Sequence, residues 1–409
     1  MGWPLAARLN SPASRTGAFY CTLYLTGAVA NPFLPIWLSD RGLSAAEIGL
    51  INAAPIFAMI VINLVVGRIA DRLSDWRTVI VVGSIFAAAP PFLLLVAEGY
   101  WPILVIWTLI IVPFQAIAPV VDAAAYRMSR RNGYDFGAIR AWGIVGFVVM
   151  TLIAGFVLDS SGIVAFVPLL IAVSLARAVF SIQLPLFRSH GGQHRPTYPI
   201  DAPISPLVAV RRGELWRPWF LLPLIGGALL SASHMMQLGF GALIWAEAGV
   251  PGWIIGLLWA VAPTGEIVAM IFFERISRRF PARHLMLFAC LCGVLRWWGF
   301  GLEPGPWALA ALQLLHMATV GLFFLGITNF IANWTSEDIA AEAQSFFVML
   351  RQVATGFAFV GFGFLAGTMG ASAYFIAAAM SGVGLVFVVI SLVMMSPKIE
   401  RAELKGLFR

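Results

Sequence analysis

The chain has 409 residues, 60% of them hydrophobic and 11% charged, far from the roughly 45–50% and 25% of a water-soluble globular domain. A net charge of +7 could suit nucleic acid, but the basic residues sit in short loops between apolar runs, which argues against a nucleic-acid surface and for a bilayer. Cys21, Cys290 and Cys292 fall inside apolar runs, so no disulfide framework, metal centre or cofactor site is expected.

Residues 1–17 are polar and carry Arg8 and Arg15. The apolar run after them is too long for a signal-peptide core and reads as an uncleaved first span. Ala6 stands where a myristoylation motif needs Ser or Thr. Spans are expected near 17–38, 48–67, 78–97, 101–126, 138–158, 163–184, 218–246, 253–273, 284–302, 307–332, 344–366 and 372–395. The expected fold is an all-α membrane protein of twelve transmembrane helices, about 20 residues each, in two pseudo-symmetric six-helix bundles. The bundles are residues 1–184 and 218–409; residues 185–217, rich in Pro and Gly, read as a cytoplasmic linker.

Orientation follows from the basic residues. Of 26 Lys and Arg, only Lys398 and Lys405 are lysines. Arg140, Arg177, Arg296 and Arg351 fall within spans and Arg41 follows the first; the other 21 share one side with both termini and the linker. That side is expected to be the cytoplasm, with the chain in a bacterial inner membrane.

Charges within spans are costly and mark functional paths by default. Asp122 lies nine residues before Arg131 and Arg140 nine after it. In an antiparallel pair the two side chains share a depth, roughly 10 Å inside the turn. Glu266, Arg296 and Arg351 are the other deep charges, whereas Arg177, about two turns from a cytoplasmic span end, is expected to reach water. Structural pairs, Asp122 with Arg140 and Glu266 with Arg296, are the competing reading. His234 and His316 are equally readable as core histidines or as ligands. Polar stripes support a cavity: Tyr20, Tyr24, Gly27 and Asn31 on the first span, Gln115, Pro119 and Asp122 on the fourth, His234 and Gln237 on the seventh, Gln344, Arg351 and Thr355 on the eleventh. Phe33, Trp142, Trp245, Trp259 and Trp297 could wall it.

The halves repeat. Residues 68–73, RIADRL, resemble 275–280, RISRRF, at an offset of 207 that also brings Arg140 within four residues of Arg351. The stretch Gly67, Arg68, Ile69, Ala70, Asp71 and Arg72, with Arg77 following, resembles the gating loop of the major facilitator superfamily. Residues 31–38 (NPFLPIWL), 140–146 (RAWGIVG) and Ser233–His234 resemble the phenylpropionate permease family within it. Leu315, His316 and Met317, with Arg296 twenty residues upstream, resemble the related lactose permease. The resemblance implies substrate positions at Asp122, Arg140, Glu266 and Arg296, a coupling cluster at His316, and Arg351 where a Lys stands in the family. It departs at Thr319, where the coupling acid would be, and at Gln313, where a Lys would be. Proton coupling then falls to Glu266, Asp122 or a histidine.

One uncompensated guanidinium suits a carboxylate. The expectation is therefore a monomeric secondary transporter that imports a small organic anion with protons. A sugar or nucleoside permease is the alternative, followed by a drug exporter or a non-transporting sensor. No nucleophile–base spacing, His-rich metal pattern or Gly-rich phosphate loop supports an enzyme.

Overall fold

The computed structural model describes residues 11–72, 75–187, 216–271, 279–335 and 337–395; within these, the side chains of 61, 63–72, 266–271 and 337–341 lie outside the description. In chain order the helices are α1 (Pro12–Asp40), α2 (Ala45–Arg72), α3 (Trp76–Leu95), α4 (Tyr100–Asn132), α5 (Phe136–Ser161), α6 (Ile163–Ile182), α7 (Pro218–Glu247), α8 (Gly252–Ile271), α9 (Ala282–Gly301), α10 (Pro306–Trp334), α11 (Glu337–Met369) and α12 (Ala373–Met394). Among the described residues, nine continuous stretches are long and apolar enough to cross a bilayer, and one of these, Glu342–Met394, breaks at Gly370–Ser372 into α11 and α12. The shorter apolar stretches Ala45–Ile60 and Gly252–Gly265 belong to α2 and α8. The twelve expected spans are all present. Residues 188–215 of the expected linker lie outside the described residues.

Local chemistry explains the irregular points. The third span is α-helical only over Trp76–Phe86 and tightens to a 3-10 helix at Pro90–Leu95, because Pro90 and Pro91 lack the N–H groups a regular turn needs. α4 overruns its expected end by six residues and stops at Gly133, whose φ of 69° only glycine adopts without strain. Arg130 and Arg131 in the last turn complement the helix dipole there. Asp135 then caps α5, accepting from Ala138 N at 3.2 Å. A left-handed stop and a capped start only two residues apart hold α4 and α5 as a tight hairpin.

By contacts the chain divides into two compact units, Met1–Gly192 with Gln237–Val261, and Gln193–Met236 with Ala262–Arg409. In the first, Phe19, Leu23, Ile80, Val121 and Met128 anchor the core. Residues 252–256 join it because α5 and α8 touch backbone to backbone: a Cβ at Gly155 would lie 2.6 Å from the Gly252 carbonyl oxygen. Asp159 Oδ1 accepts from Gly252 N at 2.9 Å beside that contact. In the second unit the core gathers Phe220, Leu224, Met286, Phe330 and Ile331.

Arginine ties down the sixth helix of each half. In the first, Arg77 Nη2 donates to Ile182 O at 2.6 Å, Arg131 Nη1 to Phe187 O at 3.0 Å, and Arg15 Nε to Gln183 O. The buried Asp75 caps α3 at Arg77 N and also accepts from Phe187 N at 2.9 Å. In the second, the fully buried Arg283, 206 residues after Arg77, donates to Ser391 O at 2.8 Å and Met395 O at 2.9 Å. The same device, a cation from the third helix of the unit on the carbonyls closing the sixth, recurs at nearly the repeat offset. Replacing Arg283 by Ala strands these carbonyls, at about 1.5–3 kcal/mol for each charged hydrogen bond. Arg283→Ala should unfold several degrees below wild type by thermal melting in detergent, with Arg283→Lys in between.

Candidate functional site

Two polar clusters lie within the membrane-spanning helices, one in each unit. The first rests on α1, α4 and α5. Gly143 lets α1 approach α5, since a Cβ there would lie 2.4 Å from the Tyr24 ring. That closeness brings Tyr20 to α4, where its hydroxyl donates to Asp122 Oδ1 at 2.6 Å. Arg140 Nε stands 3.4 Å from the same oxygen, and the side chains of Arg140 and Asp122 remain 40% and 38% exposed. Tyr24 lies close to Arg140 as well. The hairpin thus delivers the acid and the guanidinium at one depth. Two groups already meet Asp122, and the pair stays partly exposed.

The neighbours are mixed. Gln115 is exposed on α4 and Asn31 half-buried on α1. Trp142 is 56% exposed, with one edge against Gly17. Phe33, Trp245, Trp259 and Trp297 are buried among their neighbours, so of the five aromatics considered as cavity walls only Trp142 offers an open face. Burial of apolar rings in helix packing outweighs the lining role for the rest.

The second cluster is built on helix irregularities. α7 passes through a π-turn at Gln237–Gly241, three residues after His234, and α10 through another at Met317–Leu322, directly after His316. Such turns widen a helix and re-aim its side chains, often at functional positions. His234 and His316 face each other with ring centres 5.7 Å apart. Arg296 on α9, fully buried, donates through Nη1 to His316 Nδ1 at 3.0 Å and to Thr319 Oγ1 at 3.4 Å, and through Nη2 to Gln313 Oε1. Its guanidinium also lies 4.4 Å from the centre of the Trp297 ring.

The direction of this network follows from its ends. Arginine only donates, so His316 Nδ1 accepts and its proton is on Nε2. The Leu230 carbonyl only accepts, so His234 donates to it from Nδ1, at 2.8 Å. In a neutral ring His234 Nε2 then accepts at 3.0 Å from Thr319 Oγ1, whose single proton also has the His316 carbonyl within reach at 3.3 Å. With that proton on His234, Arg296, Thr319, His234 and Leu230 form one polarised chain, and His316 joins it through Arg296.

Residues 15–396 match the MFS_1 like family. The chain belongs to that family. It is a multi-pass membrane transporter, not an enzyme, and its fold is that of the major facilitators. The transporter is 29% identical to the probable 3-phenylpropionic acid transporter of Escherichia coli over 84% of this chain and 89% of the relative. It is 31% identical to a putative nucleoside transporter of the same species, over 88% and 83% of the two chains. It is 27% identical to the maltose permease of Geobacillus stearothermophilus over 80% and 81%. The crystal structure of the nucleoside transporter NupG superposes with a TM-score of 0.71 at 16% identity, covering 94% of this chain and 99% of that one.

The transporter brings Asp122, Arg140 and Tyr24 together in one place, and Arg296, His316, Gln313, Thr319 and His234 in another. Gln237 is buried within the α7 π-turn. Arg351 is exposed on α11 and does not join the Arg296 cluster through any hydrogen bond described above. Gly67, Asp71, Arg72 and Glu266 lie on α2 and α8, and their side chains are outside the described residues. Of the gating stretch only Arg77 is described, and it holds α6.

Arg177 overturns its expectation. It is fully buried and does not reach water, because Thr26 Oγ1 accepts from its Nη1 at 3.0 Å and the Phe114 ring lies 5.2 Å away. Sequence reasoning also missed the Asp75 and Arg283 clamps; both sit next to span ends, where charged residues read as loop. Thr319→Val leaves the His234 acceptor unpaired. It should lower thermal stability by about 1–3 kcal/mol in detergent melts, with Thr319→Ser close to wild type.

Proposed function

We propose that the protein imports a small organic anion with an aromatic or apolar body across the bacterial inner membrane, together with protons, by alternating access. The observation that carries this reading is Arg140, a partly open guanidinium held within the membrane-spanning helices by Asp122. A carboxylate can take a planar fork in two parallel hydrogen bonds. Trp142, on the same helix with an exposed face, suits an aromatic body. The likeness to the probable 3-phenylpropionic acid transporter supports the same substrate class. Gln115 and Asn31 complete the binding surface of the first cluster in this reading, and Gln237, Arg296, His234 and Arg351 are the substrate residues assigned to the second half.

The transporter works as a monomer of two six-helix halves, residues 1–184 and 218–409, joined by a cytoplasmic linker at 185–217, with both termini in the cytoplasm. Gly67, Asp71, Arg72 and Arg77 serve the gate. A second reading, a neutral sugar or nucleoside substrate, is favoured by the Tyr20–Asp122 contact, a phenol and a carboxylate able to bond hydroxyls, and by the permease and nucleoside relatives.

Coupling is assigned to Glu266 as the proton carrier, with His316 as relay and Asp122 as the alternative carrier. Thr319 stands where the family places an acid, and a hydroxyl releases no proton near neutrality, so the carrier lies elsewhere. His316 takes a proton at Nδ1 only when Arg296 withdraws from it. A substrate carboxylate competing for Arg296 supplies that withdrawal, so anion and proton arrive together.

Uptake of labelled 3-phenylpropionate into proteoliposomes tests the substrate. Arg140→Ala should abolish binding, a loss of about 2–5 kcal/mol for a removed buried partner, and Arg140→Lys should rescue it poorly because Lys lacks the planar fork. Normal transport by the Lys variant would reduce Arg140 to helix glue. For coupling, Glu266→Gln should keep exchange and lose accumulation driven by an imposed pH difference. Wild-type flux that ignores the gradient would leave a facilitator.

A further inference from the structure

Arg177 is a charge that helix packing does not explain. It lies on α6, fully buried in the first unit. One nitrogen donates to Thr26 and the guanidinium faces Phe114. Its Nε and Nη2 have no hydrogen-bond partner, and among the described residues no carboxylate lies within ion-pair distance of it. A guanidinium remains charged at any physiological pH. A methionine would fill a similar volume without the cost of burying a charge. Asp122 and Arg140 cancel each other, so of these three deep charges Arg177 is the uncompensated one.

Its position relates it to the first cluster. Thr26 is two residues beyond Tyr24 on α1, and Phe114 directly precedes Gln115 on α4. Arg177 therefore stands behind the two helices that present Tyr20, Tyr24, Gln115 and Asp122, at a range on the order of 10 Å. At that range, with an effective dielectric near 20, a fixed unit charge corresponds to roughly a tenfold preference for an anion over a neutral ligand. Being buried, it is weakly screened by salt.

We propose that Arg177 is a selectivity residue: without touching substrate, its fixed charge makes the Asp122–Arg140 site prefer a carboxylate to a neutral ligand of the same shape. This rests on the reading that the site holds an organic anion. It also gives the two arginines separate tasks. Arg140 supplies geometry, which Lys cannot replace, and Arg177 supplies charge, which Lys can.

The test measures binding of 3-phenylpropionate and its neutral amide to the full-length transporter in nanodiscs. Arg177→Met should weaken the carboxylate about tenfold and leave the amide unchanged. Arg177→Lys should keep the wild-type ratio, and raising the salt concentration should leave that ratio intact. If Arg177→Met does not fold, Arg177→Leu combined with Thr26→Val replaces the polar pair with apolar packing and carries the same comparison. An unchanged ratio in a folded apolar variant, or a Lys variant that behaves like it, overturns the assignment. A wild type that binds no carboxylate overturns the substrate reading, and this inference with it, whereas a wild type that prefers the carboxylate regardless of residue 177 overturns this inference alone.

Discussion

A charge inside a bilayer must be met at its own depth, and the first cluster depends on that constraint. Asp122 and Arg140 belong to different helices, so only the turn between them sets their relative height. Gly133 ends α4 in a left-handed conformation and Asp135 starts α5 with a side-chain cap. An insertion of one residue there would move Arg140 by about 1.5 Å along its helix and rotate it by roughly 100°, away from Asp122. The exposed turn thus controls the alignment of a site about 10 Å deeper. The close α1–α5 approach at Gly143 then supplies the phenol hydroxyl of Tyr20, which donates to the carboxylate.

The same constraint acts differently at the helix ends. There the helix carbonyls, not the side chains, lack partners. Arg15, Arg77 and Arg131 meet those that follow α6, and Arg283 meets those that close α12. Arginine suits this task because its fork reaches several acceptors at once. The repeat seen in the basic loops therefore has a mechanical counterpart, shifted a few residues along the chain. Asp75 contributes in the same way from the opposite sign, accepting from backbone N–H groups at two places.

The spans, their number and the depth match of Asp122 and Arg140 were legible because hydropathy and helical rise alone determine them. Arg296 was legible as a deep charge and His316 as a candidate ligand, but their association was legible only through resemblance; nothing in their spacing of twenty residues predicts contact across two helices. The π-turns that aim His234 and His316 were not legible, because an extra residue in a turn leaves no trace in composition. Arg177 was misread for a definite reason. Two turns from water is within reach of a long side chain, and the sequence does not show that Thr26 and Phe114 hold it inward. Phe33 and Trp297 illustrate the opposite error: an aromatic in a polar stripe suggests a wall, yet packing claims the ring first.

Replacement of an acid by Thr319 changes what the second cluster can do. A carboxylate beside Arg296 would neutralise it and hold it in place. Thr319 offers a single hydroxyl, which accepts from Arg296 and passes its own proton toward His234. Among its contacts, Arg296 donates to three neutral acceptors, His316, Gln313 and Thr319, each weaker than an ionised partner. Arg296 also blocks the one imidazole nitrogen, His316 Nδ1, that could take a second proton, so the protonation of that ring and the position of the guanidinium are linked.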